Sequence, residues 1–247
     1  MMPHVYGRIM PEHLTIVQSS SKPVINETLA HYLSIAHKAI EQYVEIWENM
    51  SKITNLYENL GDHPRSYYEM LEILNVYKLD ETATAVYLSV TLSVISIVCN
   101  MKKGENCVIK TADMFSQESV DRMYILSLCF NEVYLYKPAS TPAITSDKYI
   151  ICKDFKMIST QHLNHLTDCF IYSRRINCTY INALIEANSV IGQQQLEAIN
   201  NTITLIEQGK KKEKIEALKR QQAAKCAEWN KKFGVTFKSR LCDVGGI

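Results

Sequence analysis

Two charged side chains at the ends of apolar runs are the first candidates for chemistry. Lys110 closes the run Cys107-Val108-Ile109, and Asp147 stands just ahead of the run Tyr149-Ile150-Ile151-Cys152. A lysine and a carboxylate held on strand ends can act together on a hydroxyl: the amine takes the proton when its neighbours lower its pKa, and the carboxylate orients it. Other arrangements are poorly supplied. No Cys-x-x-Cys pair exists among the eight cysteines, and His162 and His165 have no further ligand in sequence, so no metal is expected. No nucleophile elbow is present for a Ser-His-Asp site.

The elements that must position these residues read as an α/β unit. Residues 106–110, 132–136 and 148–153 have the length and β-branched content of strands, and Ser116–Phe130 reads as a helix between the first two. The expected sheet is small and mostly parallel, with helix exceeding half of the residues. Residues 1–22 read as an irregular arm and 23–80 as a helical lead-in. Residues 81–158 form the α/β core, and 159–247 a helical extension with helices near 159–172, 178–208 and 210–233. In the lead-in, Leu29, Tyr32, Ala36, Ile40, Tyr43, Trp47 and Met50 recur at three- and four-residue steps as one apolar stripe, with Asn26 as cap. Lys102-Lys103-Gly104 supplies cations and a left-handed residue where a helix should end.

Thr82–Met101 is a run of twenty residues without a charge. Its length would cross a bilayer, but the seven Thr, Ser and Asn residues among Thr82, Thr84, Ser89, Thr91, Ser93, Ser96 and Asn100 favour a helix buried against a sheet over a membrane span. The scattered cysteines, several inside apolar runs, favour a reducing, cytoplasmic compartment. Net charge is +1 over 247 residues, which excludes a global nucleic-acid field. Charge is nevertheless uneven: Lys210–Arg240 holds eleven Lys and Arg against Glu213, Glu216 and Glu228. Lys210, Lys211, Lys212 and Lys214 head this segment, which could follow a phosphate backbone or form a solvated helix.

Three blocks carry a family resemblance. The first is the segment from Lys137-Pro138-Ala139-Ser140-Thr141-Pro142 through Ser146-Asp147-Lys148-Tyr149-Ile150-Ile151-Cys152-Lys153. The second joins Lys103-Gly104 to Val108-Ile109-Lys110 and Asp113-Met114-Phe115. The third, weaker, joins Trp47 to Asn55-Leu56-Tyr57-Glu58 and Tyr67–Leu74. Together they resemble the cap-type branch of the FtsJ-like ribose 2′-O-methyltransferases. That resemblance implies a partial Rossmann-like methyltransferase sheet with long flanking helices, and S-adenosylmethionine as cofactor if the chain is active. It places Lys110 and Asp147 in a catalytic Lys-Asp-Lys-Glu tetrad, and Lys137, Ser140 and Lys148 beside RNA.

The chain also departs from the family pattern. Glu69 falls where the first tetrad lysine belongs, and no aspartate lies at the expected distance before Lys110. No glycine-rich strand-to-helix turn is present to admit a nucleotide against the backbone. The resemblance therefore implies a degenerate relative with its cofactor-binding middle missing, acting on RNA or beside a catalytic partner subunit. Such an arrangement resembles the small non-catalytic subunits of some viral capping complexes. An active or split methyltransferase is the alternative, and a membrane-anchored or structural protein a third.

Overall fold

In the computed structural model, residues 22–81, 84–87, 94, 100–156, 178–209 and 212–235 are described. Their elements, in chain order, are α1 (Glu27–Ile40), a 3-10 turn at Glu41–Tyr43, α2 (Val44–Thr54) and α3 (Arg65–Tyr77). Then come β1 (Thr84–Tyr87), β2 (Asn106–Thr111), α4 (Gln117–Cys129), β3 (Phe130–Tyr136), β4 (Lys148–Phe155), α5 (Cys178–Glu207) and α6 (Lys212–Phe233). Helix accounts for 61% of the described residues, and the fold is a partial Rossmann-like α/β sheet flanked by long helices.

The sheet order is β1-β2-β4-β3. Here the structure corrects the expectation of mostly parallel pairing. Only β1 and β2 pair in parallel, whereas β4 is antiparallel to both β2 and β3. Three strands do share one direction, because α4 carries the chain back between β2 and β3. The connection from β3 to β4, however, has no helix with which to cross over, so the chain turns and β4 wedges between its two predecessors in the opposite sense.

A second correction concerns the uncharged stretch. Thr84–Tyr87, read as part of a buried helix, is strand β1, paired from Thr84↔Asn106 to Tyr87↔Ile109. β-branched and aromatic residues in this stretch suit a pleated strand as well as a buried helix face, and pairing with β2 decides. Residues 88–93 and 95–99 lie outside the described set, as does the expected helix at 159–172 with His162 and His165. Among the described residues, no helix is long and apolar enough to cross a membrane.

Alternation along β2 and β4 separates two packing faces. Cys107, Ile109, Ile150 and Cys152 meet Val120, Met123 and Leu126 of α4 and Leu184 of α5. Val108, Tyr149 and Ile151 meet Ile73, Met70 and Leu74 of α3. Covered on both sides, β4 is buried at every position but two, which is why it reads as an unbroken apolar run. Ser116 caps α4 by accepting from Ser119 N–H, and Gly104 takes the φ of 84° needed at the turn into β2.

The lead-in helices pack on α5. At Gly192 an added Cβ would lie 2.6 Å from Leu29 Cδ2, so the absence of a side chain sets how closely α1 and α5 approach. Asn26 does not cap α1 through its side chain. Its backbone is left-handed, with φ 51°, and its amide donates to the Ile185 carbonyl and to Ser189 Oγ of α5. A tertiary bond to α5 has displaced the local cap. Of the lead-in stripe, Ala36 and Met50 are buried, while Tyr32 faces outward.

Candidate functional site

Antiparallel pairing of β2 with β4 sets Lys110 opposite Tyr149 and Thr111 opposite Lys148. The two residues singled out from the sequence therefore meet: Lys110 Nζ lies 2.9 Å from Asp147 Oδ2, both side chains partly exposed. The same ammonium stands 6.0 Å from the centroid of the Tyr149 ring.

Two further lysines sit behind this pair. Lys148, 2% exposed, has its nearest carboxylate at Asp113, with Nζ and Oδ1 3.9 Å apart. Its pKa is lowered by burial, against the opposing pull of Asp113 and Asp147. Lys137 donates to the Thr145 carbonyl. Burial, reinforced by the charge of Lys148, lowers its pKa to about 8, despite Asp147, Asp113 and Glu69. Three lysines and three carboxylates thus share one end of the sheet, and the least solvated amines hold their protons least firmly.

The floor of the site is made of carboxylates on α3. Glu69 and Glu72 lie one helical step apart, each 3% exposed, beneath the loop 138–141. Glu69 accepts from Thr141 Oγ1 at 2.8 Å and from Tyr149 OH at 2.6 Å. Glu72 accepts five bonds: from Tyr136 OH, Ala139 N–H, Ser140 N–H, Ser140 Oγ and Trp229 Nε1–H, at 2.7–3.1 Å. Neither has an ion-pair partner among the described residues. Desolvation, then the bond to the carboxylate, pushes the phenols of Tyr136 and Tyr149 well above their ordinary range. Arg65 completes the clamp, reaching the Ser140 carbonyl and pairing with Glu58 at 2.6 Å. Motif reading missed Glu72 and Trp229. The available signal was phase: positions 69, 72 and 73 share the inward face of α3, so two carboxylates occupy a stripe otherwise buried for packing.

The residues expected beside RNA separate in space. Lys137 lines a cavity of about 700 Å³ together with Asn55, Tyr57, Tyr136, Asn201 and Lys232. Ser140, by contrast, is wholly buried and its hydroxyl is committed to Glu72, so it shapes the loop and offers no surface to a ligand. Lys148 is likewise enclosed. Lys212 and Lys214 are exposed near the start of α6, where Lys214 Nζ donates to Gln208 Oε1. Lys210 and Lys211 lie outside the described residues. With 1.5 Å of rise per residue, Lys214 is about 27 Å along α6 from Lys232, so the lysine cluster and the cavity lie at opposite ends of the helix.

No group of three or more metal-capable side chains exists among the described residues. For S-adenosylmethionine, a glycine turn leading from the C-terminal end of a strand into a helix would be needed. Among the described glycines, only Gly104 adjoins the sheet, and it precedes β2, bonded to Phe155 at the opposite end. The described residues do not form that cradle.

The fold is that of a partial Rossmann-like methyltransferase α/β unit. Comparison with known proteins agrees: the family model of the FtsJ-like methyltransferases matches residues 72–155, about a third of the chain, and over this segment the chain is similar to that family. Curated relatives carry cap-specific names. The chain is 37% identical over 65 residues to cap-specific mRNA (nucleoside-2′-O-)-methyltransferase 1 of Danio rerio, covering 26% of this chain and 8% of that protein. It is 36% identical over 66 residues to the Homo sapiens protein of the same name, covering 27% and 8%. With cap-specific mRNA (nucleoside-2′-O-)-methyltransferase 2 of Pongo abelii it shares 27% identity over 125 residues, covering 46% and 16%. The chain thus spans only a small part of the relatives it matches.

Proposed function

We propose that this chain is an RNA cap 2′-O-methyltransferase-like module that does not transfer methyl groups by itself. Its role is to contact RNA or to support a catalytic partner subunit in RNA capping or modification, in a reducing, cytoplasmic setting. The observation that carries this reading is the state of Glu69. At the position where the family resemblance calls for a lysine stands a buried carboxylate, already satisfied by Thr141 and Tyr149. A cation there would face two hydroxyls turned to serve an anion. The missing glycine cradle supports the same conclusion, and Lys137 and Lys232 on one cavity support contact with a polyanion.

Isothermal titration of the chain with S-adenosylmethionine is expected to give no binding in the micromolar range. Micromolar affinity, or methyl transfer that Lys110→Ala abolishes, would overturn the proposal in favour of the second reading, an active or split S-adenosylmethionine-dependent enzyme. The Lys110–Asp147 pair at 2.9 Å is the observation on that side. In that case Lys110 and Asp147 would hold the ribose hydroxyl, and Lys137, deprotonated in part near pH 8, would be the amine best able to receive its proton.

A further inference from the structure

The basic segment of α6 carries few aromatics, but folding supplies others from a distant part of the chain. Five rings form a continuous series. His63 and Tyr67 have centroids 4.4 Å apart, Tyr67 meets Tyr68 edge-on at 5.3 Å, Tyr68 meets Trp229 edge-on at 5.8 Å, and Trp229 meets Phe233 at 4.5 Å. The middle of the series is structural: Tyr68 and Trp229 are 3% and 4% exposed, and Trp229 is anchored on Glu72. The ends are open. Tyr67 is 45% exposed although its neighbour Tyr68 is buried, because consecutive helical residues project about 100° apart. Between the ends lies a cavity of about 380 Å³, lined by the turn Gly61-Asp62-His63, by Tyr67, and by Phe233 with Gly234.

We infer that this slot takes one unstacked base of a single-stranded RNA. Its lining includes the rings of His63, Tyr67, Tyr68 and Phe233 beside the aliphatic Leu60, Leu71 and Val235, a setting in which any base can bury its π-surface, and Asp62 adds a carboxylate able to bond a base edge. Cations are placed for the adjoining phosphate. Lys232 Nζ lies 5.1 Å over the Phe233 ring, and Lys232 also lines the 700 Å³ cavity that holds Lys137. The last turn of α6 thereby joins the slot to the charged end of the sheet, giving a track in which the base enters the slot while its phosphates pass Lys232 toward Lys137. This rests on the RNA-contacting role proposed above and adds where a base is held.

The test is fluorescence anisotropy of the full chain with a short unstructured oligoadenylate, over a series of salt concentrations. Tyr67→Ala should weaken binding by about 5- to 150-fold, the range for loss of one base–aromatic stack, with an unchanged salt slope. Tyr67→Phe should bind like the parent, and Lys232→Gln should flatten the slope by about one ion. Parent-like binding by Tyr67→Ala, with Lys232→Gln and Lys137→Gln still weakened, removes the slot and leaves the RNA role standing. Failure of the parent to bind oligoadenylate removes both. Should Tyr67→Ala not fold by circular dichroism, ultraviolet cross-linking of the parent decides instead. Adducts at 62–67 or 233–234 are expected, and adducts confined to other residues overturn the slot.

Discussion

Lys110–Asp147 and Glu69–Glu72 are two sets of ionisable groups a few residues apart in the fold, treated in opposite ways. The first is a charge pair at the surface, partly hydrated on both sides. The second is a pair of carboxylates removed from water and surrounded by hydroxyl, amide and indole donors. Surface pairs of this kind contribute little to stability and remain available to a ligand. A buried carboxylate with both oxygens engaged by donors is costly to disturb. Glu69 and Glu72 thus hold the loop 138–141 in place, while Lys110 and Asp147 at the strand ends stay partly open to solvent.

That contrast can be broken most severely at Glu72. Glu72→Ala orphans five donors on β3, the loop and α6 at once, and should cost about 3–4 kcal/mol in urea unfolding. A loss under about 1 kcal/mol would show that water replaces the carboxylate and that the hub does not hold the loop. Glu69→Lys should come next, at about 2–3 kcal/mol, because an ammonium would be buried among hydroxyls without an anion. It should not confer S-adenosylmethionine binding, measured by the same titration as for the parent. A gain of binding would mean that the charge at position 69 controls cofactor binding.

Lys137 gives an intermediate effect with a definite sign. Its folded pKa of about 8 lies below the usual lysine value of 10.5. Between these values the unfolded chain binds a proton that the folded chain lacks, so stability should rise with pH from 8 to 10, by roughly 1–2 kcal/mol. Lys148 acts in the same direction. Above pH 10 the raised phenols of Tyr136 and Tyr149 act oppositely, their contribution being lost as pH climbs. Lys137→Met should flatten the rise seen in denaturant titrations across pH 8 to 10. The smallest effect belongs to the exposed pair: Lys110→Met should change stability by about 0–1 kcal/mol. A larger loss would move Lys110 from the available set to the structural one.

Much of the arrangement was legible before folding. The helix read over Ser116–Phe130 is α4, Gln117–Cys129, behind its Ser116 cap. The helices read near 178–208 and 210–233 likewise stand as α5 and α6. The meeting of Lys110 with Asp147 was suggested because both terminate apolar runs. Strand sense was not legible, since alternation and β-branching are the same for either direction and only the missing crossover helix argued against parallel pairing. Nor was the strand at 84–87, whose residue types fit a buried helix equally well.

Sequence by itself determined the positions of most elements and the segment around Lys110 and Asp147 that resembles the FtsJ-like methyltransferases, because these are properties of residue type and spacing. Only the tertiary structure decided what Glu69 and Glu72 do. A carboxylate in a sequence is acidic everywhere, whereas its role depends on how many donors packing brings to it. Here those donors come from β3, β4, a loop and a helix more than 150 residues away. The same holds for the ring series from His63 to Phe233: stacking acts over a few ångströms of space, and the chain that brings the rings together leaves no periodic trace in between.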